Sequence, residues 1–171
     1  ILERRLLLQE DGAVAQAPFV ESTPVYELGA PYDQLDLPPA LARMLAELAA
    51  AKAGLFPRPY VHQAQALERY FAGSDLIVAT GTGSGKTESF LMPIIGQLTQ
   101  EALDRPATAA LPGCRALLLY PMNALVNDQL GRVRRLFGDE VASAIVSAGR
   151  NRPVRFGSYT GRSPYPGLRS A

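Results

Sequence analysis

Ala79-Thr80-Gly81-Thr82-Gly83-Ser84-Gly85-Lys86-Thr87 stands between a short apolar run, Leu76-Ile77-Val78-Ala79, and a helical pattern that opens at Lys86. A loop that wraps phosphate oxygens with backbone N–H groups must turn through conformations that a side chain obstructs, hence glycine at 81, 83 and 85. The helix that follows aims its positive N-terminal end at the same place. In this pattern Lys86 reaches the β- and γ-phosphates of a nucleotide, and the Thr87 hydroxyl ligates Mg²⁺. Lys52 is the only other lysine among seventeen basic residues, so a lysine at this spot is not a by-product of composition. The pattern G-x-x-x-x-G-K-[ST] puts its first glycine at position 80, where this chain has Thr80. A Gly-rich turn that binds nothing is the bland alternative, and the strand-to-helix context and the spacing speak against it.

The neighbouring segments predict an α/β domain. Asp36 is a candidate cap for a helix entered through Pro38 and Pro39, with Leu41, Met44, Leu45 and Leu48 recurring at helical spacing until Gly54. A second helix spans residues 61–71 and stops at Gly73, ahead of the strand 76–79. Residues 86–102 read as a long helix loosened at Pro93. Residues 116–120 form a second apolar strand, 123–137 a helix ending at Gly138, 141–148 another helix, and 154–159 a third strand. Strands alternating with helices at this spacing predict right-handed crossovers and a central parallel sheet, with ligands at the carboxyl ends of the strands. Residues 1–35 show no sustained period and are expected to form an extended or peripheral segment.

Composition narrows the function classes. The net charge is +1, and no apolar run is long enough to span a bilayer. One cysteine, Cys114, and one histidine, His62, exclude a disulfide framework and a zinc site built within the chain. The expectation is a cytoplasmic domain with no membrane partner. The charge is unevenly spread: residues 1–128 carry nine basic and fourteen acidic side chains, whereas 129–171 carry eight arginines against Asp139 and Glu140. A polyanion, if there is one, should meet the C-terminal part.

Upstream of the loop, Leu55-Phe56-Pro57-Arg58-Pro59-Tyr60-Val61-His62-Gln63 resembles the Q motif of DEAD-box helicases, with an aromatic seven and a proline four residues before Gln63. Downstream, Tyr120-Pro121-Met122-Asn123-Ala124-Leu125-Val126-Asn127-Asp128-Gln129 resembles motif Ia in the P-x-x-x-L-x-x-D-Q form of RecQ-like and Lhr-like enzymes. With the phosphate loop between them, the elements over residues 55–130 resemble a superfamily 2 helicase. The wording is most similar to large bacterial helicases of the Lhr/MrfA type, some serving DNA repair and others phage-defence systems such as DISARM.

That resemblance implies a RecA-like P-loop domain, with residues 36–171 as the N-terminal part of the first such domain. It implies an ATP-dependent helicase or translocase, active in the full-length protein, with ATP and Mg²⁺ as cofactors. DNA is favoured over RNA as the nucleic-acid partner. Further partners are a second RecA-like domain, other domains of the same protein, and repair or defence proteins. Phe56, Gln63, Thr82, Gly83, Ser84, Gly85, Lys86, Thr87 and Glu88 are expected at the nucleotide, and Pro121, Asn123, Thr160 and Arg162 on the nucleic-acid path.

Elementary chemistry supplies reasons beside the resemblance. A glutamine amide matches the N6 donor and N7 acceptor of adenine at once, and Phe56 or Tyr60 can stack on the ring. The alternative reading has these aromatics in the core and Gln63 capping a helix. His62 reads as a packing residue at a helix start. Asn123 is either a phosphate contact at a helix N-terminus or simply its cap, and the two are compatible. Arg132, Arg134, Arg135, Arg150, Arg152 and Arg155 are expected to supply positive potential around that path.

Asp139-Glu140-Val141-Ala142 imitates the metal-holding D-E-x-[DH] box, but that chemistry needs its aspartate at the end of a buried strand, and here an amphipathic helix precedes it. The metal-box residues and the second domain are therefore expected outside this chain, which alone should hydrolyse almost no ATP. Two rival readings stand: a P-loop kinase, tested by phosphotransfer to nucleosides, and a nucleotide-gated interaction module without unwinding activity.

Overall fold

A computed structural model describes residues 22, 25–81, 83–138, 140–148, 150, 152–161 and 163. Among the described residues the α-helices are α1 (Pro39–Ala50), α2 (Val61–Phe71), α3 (Lys86–Asp104), α4 (Pro106–Ala110), α5 (Asn123–Gly138) and α6 (Glu140–Ser147), with a short 3-10 turn at Tyr32–Gln34 before them. The core forms where their apolar stripes meet. Leu41, Met44, Leu45 and Leu48 of α1 lie against Leu91, Met92 and Ile95 of α3, with Val133 and Leu136 of α5 and Ala142 and Val146 of α6 closing the cluster. Gly96 lets α1 and α2 approach α3: a Cβ there would stand 2.5 Å from the Phe71 ring and 2.9 Å from Leu41. Pro93 is accommodated within an unbroken α3.

Helix starts differ in detail from expectation. Pro38, not Asp36, occupies the cap of α1, and no side chain caps it. The Asp36 N–H instead donates to the Glu68 carboxylate at 2.9 Å. Gly73, at φ +89°, follows the end of α2 as the C-terminal stop requires.

The far end of α3 is fastened by charge. Glu101 is buried and receives Arg115 Nε at 2.8 Å and Arg150 Nη2 at 2.8 Å. Arg150 also donates to the Leu98 carbonyl at 2.8 Å, and Arg115 to that of Thr108 at 2.7 Å. Burial pushes the Glu101 carboxyl up, but the hydrogen bonds and charges of the two arginines outweigh it and hold the group below the usual carboxylate range. Arg152 donates to the Leu111 carbonyl. Arg150 and Arg152 thus tie the chain after α6 to the α3–α4 corner, and are not part of an open phosphate-binding surface.

The three runs read as strands, residues 76–79, 116–120 and 154–159, form no ladder among the described residues. Ile77 is 97% exposed, Leu117 77% and Leu119 82%. A parallel strand depends on non-local partners in its sheet and on helices that cover the sheet's two faces. Helices close their hydrogen bonds locally and here bury their stripes against one another, so they assemble without that non-local pairing. Among the described residues an isolated antiparallel β-bridge joins Leu28 and Tyr60. The Gly29 N–H donates to Pro59 O at 2.7 Å and the Val61 N–H to Glu27 O at 3.0 Å, fixing residues 27–29 along the segment before α2.

Candidate nucleotide-binding site

The loop before α3 has the backbone its glycines predict. Gly83 and Gly85 sit at φ +77° and +72°, the left-handed region, and Gly85 is the residue from which α3 departs. Lys86 Nζ folds back to donate to the carbonyls of Thr80 (2.7 Å) and Gly81 (2.6 Å). The Thr80 and buried Ser84 hydroxyls are 2.6 Å apart. The threonine that replaces the expected first glycine therefore pins the loop across its own mouth.

Gln63 joins this loop to the segment before α2. Its Oε1 accepts the Tyr60 N–H at 2.8 Å, and its Nε2 donates to the Gly85 carbonyl at 2.8 Å. The first bond caps α2, as the alternative reading of this residue has it. A primary amide has two donors and two acceptor lone pairs, so one of each stays available. Gln63 also lines a cavity of about 700 Å³ together with Phe56, Arg58, Tyr60, Gly83, Ser84, Gly85, Lys86, Thr87 and Glu88. Phe56, 77% exposed, stands at its rim and is not a core residue. Tyr60 is engaged in an aromatic cluster, 5.6 Å from Tyr26 and 5.8 Å from the near-parallel His62 ring. The cluster leaves Phe56 better presented than Tyr60 for stacking, and gives His62 the packing role expected of it.

Four cavity residues escape a reading of motifs, among them Met92 of α3. Leu28 and Tyr32 arrive from the segment read as peripheral, and Arg132 from the middle of α5. Tyr32 is buried, and its hydroxyl donates to Met92 Sδ at 3.5 Å. Burial, then the Glu88 carboxylate, raise its pKa far above the ordinary phenol range, so it stays neutral. Tyr26 lies so close to the loop that a Cβ on Gly81 would stand 2.9 Å from its hydroxyl. Nothing in the composition of residues 25–35 announces these contacts. Arg132 had a faint signal, its i,i+4 spacing from Asp128.

Pro121 and Asn123 are exposed at the start of α5, and neither they nor Thr160 line the cavity. Thr160 closes a turn in which its N–H donates to Ser163 Oγ at 2.9 Å and its carbonyl accepts the Ser163 N–H at 2.9 Å. Thr82, Arg162 and Asp139 lie outside the described residues. Glu140 opens α6 directly after α5, the helical setting that argued against a metal box there.

Residues 60–158 match the DEAD/DEAH box helicase family. The chain is 62% identical to the Druantia protein DruE of Escherichia coli (strain UMEA 4076-1) over its whole length, which spans 9% of that protein. It is 51% identical over 53 residues, 31% of the chain and 9% of the relative, to the DEAD-box ATP-dependent RNA helicase 22 of Arabidopsis thaliana. Over 70 residues, 41% of the chain and 9% of the relative, it is 36% identical to an ATP-dependent helicase of Methanocaldococcus jannaschii. No solved structure matches it. The family brings with it a RecA-like α/β fold, of which the described residues form the helices. With the family matched from the start of α2 to the last expected strand, the chain belongs to the DEAD/DEAH box helicases.

Proposed function

We propose that this chain is the nucleotide-binding part of an ATP-dependent helicase or translocase that acts on DNA, in phage defence. The observation that supports the proposal is the bond from Gln63 to Gly85, which brings the Gln63 amide and the Gly-rich loop into one cavity. The residues present suit ATP-Mg²⁺. The two left-handed glycines, 83 and 85, leave the backbone free of side chains at those positions, and the Lys86 ammonium, held by two backbone carbonyls, has one further N–H to offer an anion. Lys86 and the amides of residues 83–87 would hold the phosphates, Thr87 the Mg²⁺, and Gln63 and Phe56 the base. Bound Mg²⁺ would supply neutralising charge to the phosphates. Lys86 would stabilise charge that grows on the transferred phosphoryl group, in a site the helix dipole favours.

Pro121, Asn123, Thr160 and Arg162 would hold the nucleic-acid backbone, through main-chain N–H groups and the N-terminal end of α5. A second RecA-like domain and the metal-box residues would come from elsewhere in the protein, with residues 36–171 contributing to the first domain. The defence role rests on the motif wording and on the likeness to a Druantia protein over the whole chain. The test is ATP hydrolysis by the whole protein with and without single-stranded DNA or RNA. Stimulation by DNA above RNA supports the proposal, and hydrolysis indifferent to both overturns it.

A further inference from the structure

Arg132 Nη1 donates to Glu88 Oε1 at 2.7 Å, while its Nε lies 3.8 Å from Asp128 Oδ2. Glu88 follows Thr87 directly in the first turn of α3, and Arg132 belongs to α5, the helix that begins at Asn123 just after Pro121. The pair is partly sheltered, with the Glu88 side chain 20% exposed and that of Arg132 37%. Both line the cavity. Arg132 also bears on the Tyr120 hydroxyl at the end of the run preceding Pro121, opposing the rise that burial gives its pKa. The guanidinium therefore ties α5 to the first turn of α3, beside the phosphate loop, with a competing carboxylate on α5 itself.

We infer that Arg132 is a positioning residue that couples nucleic-acid binding at the start of α5 to nucleotide binding at the phosphate loop, by its ion pair with Glu88. This rests on the function proposed above. Nucleotide phosphates bring negative charge beside Glu88, which tightens the hold of Glu88 and its surroundings on a cation. Arg132 answers only with α5 in the position that reaches α3. A backbone gripped at Asn123 restrains the same helix. Each ligand thus favours the arrangement the other needs, and the effect is reciprocal in binding free energy.

The experiment measures, on the whole protein, the affinity for a labelled single-stranded oligonucleotide with and without a saturating non-hydrolysable ATP analogue. The ratio of the two affinities is the coupling factor, about fivefold or more in the unaltered protein. Arg132→Ala and Glu88→Gln should each bring it close to 1, and combining them should lower it no further. The exchange Glu88→Arg with Arg132→Glu should restore part of it, which a merely structural role would not do. Unchanged coupling in the single variants, or an exchange variant that melts normally yet couples no better than either, overturns the inference. Coupling absent from an unaltered protein that binds both ligands also overturns it and leaves the proposed function standing. An unaltered protein that binds no nucleotide overturns both.

Discussion

The amide of Gln63 bridges two backbones, taking the Tyr60 N–H at one end and giving a hydrogen to the Gly85 carbonyl at the other, each at 2.8 Å. The bond to Gly85 spans 22 residues and fixes the helix start of α2 against the turn that launches α3. Because Gly85 also adopts φ +72°, any side chain at this position would be strained and would collide with the same amide.

Gly85→Ala is expected to weaken nucleotide binding about tenfold or more. A Cβ in the left-handed region costs about 1–2 kcal/mol before any collision is counted. The added methyl meets Gln63 Nε2 and approaches Glu88 Oε2 at 3.1 Å. Gln63→Ala made on top of it removes one collision partner but also the amide proposed for the base, so it should not restore binding. Titration with a fluorescent ATP analogue checks both, and an unchanged affinity for Gly85→Ala would show that the loop does not bind phosphate in this conformation.

Lys86→Ala should reduce nucleic-acid-stimulated ATP hydrolysis by about a hundredfold or more while shifting the melting temperature little. The bonds it removes within the protein end on backbone carbonyls at the edge of an exposed loop, so water can replace them. Turnover at the unaltered rate in a steady-state assay would remove the phosphate-loop assignment.

Gln63→Ala should raise the KM for ATP and narrow the preference over GTP and CTP. Loss of a bidentate pairing with the base costs about 1–3 kcal/mol. Part of the effect will reach all nucleotides alike, because the Gly85 carbonyl loses its donor. The discriminating quantity is therefore the ratio of kcat/KM between ATP and GTP; an unaltered ratio would leave Gln63 as a cap of α2 alone.

Glu101→Gln should destabilise the fold by about 3–5 kcal/mol, the usual result of removing one partner from a buried ion pair. Arg150, its side chain 4% exposed, is then left without a counter-charge. The folded-state pKa of Glu101 lies below its unfolded value, so its contribution is fully present above the ordinary carboxylate range. It is lost as pH falls through the folded pKa. Denaturant melts of both forms across the acid range should converge as pH drops, and a constant difference between them would contradict the assignment.

The helices were legible because their period is local. The repeat of Leu41, Met44, Leu45 and Leu48 is visible within ten residues, and Val61–Phe71 follows from its own stripe and the glycine beyond it. Pro106–Ala110 was invisible: five small residues hold no period. The Glu101 cluster joins side chains 14 and 49 positions apart, and such pairings leave no trace in composition. Tyr32 enters the cavity for the same non-local reason. The apolar runs were read as strands of a sheet, but pairing depends on neighbours that the runs themselves do not specify. Of the site, the loop and Gln63 were legible since fixed spacing reflects fixed backbone geometry, whereas the partnership of Arg132 with Glu88 appears only once α5 is laid beside α3.

Replacing Arg155 and Arg162 by alanine should weaken single-stranded nucleic-acid binding and lessen its salt sensitivity, with little effect on ATP affinity. Arg155 is exposed in the run before Thr160, and Arg162 lies two residues beyond it in sequence. Each arginine that no longer neutralises a phosphate of a single strand lowers the log–log salt slope by about 0.7, so the pair should lower it by about 1.4. Arg150 and Arg152 are unsuited to this test because they bond to protein acceptors around Glu101 and Leu111. Arg134 and Arg135 serve as the control: both are exposed on α5, and adjacent helical positions point about 100° apart, so they do not present a common face. Affinities measured over a series of salt concentrations decide the matter. An unchanged slope for the Arg155 and Arg162 variant, or a larger drop for Arg134→Ala with Arg135→Ala, would move the nucleic-acid path from the last extended run onto α5.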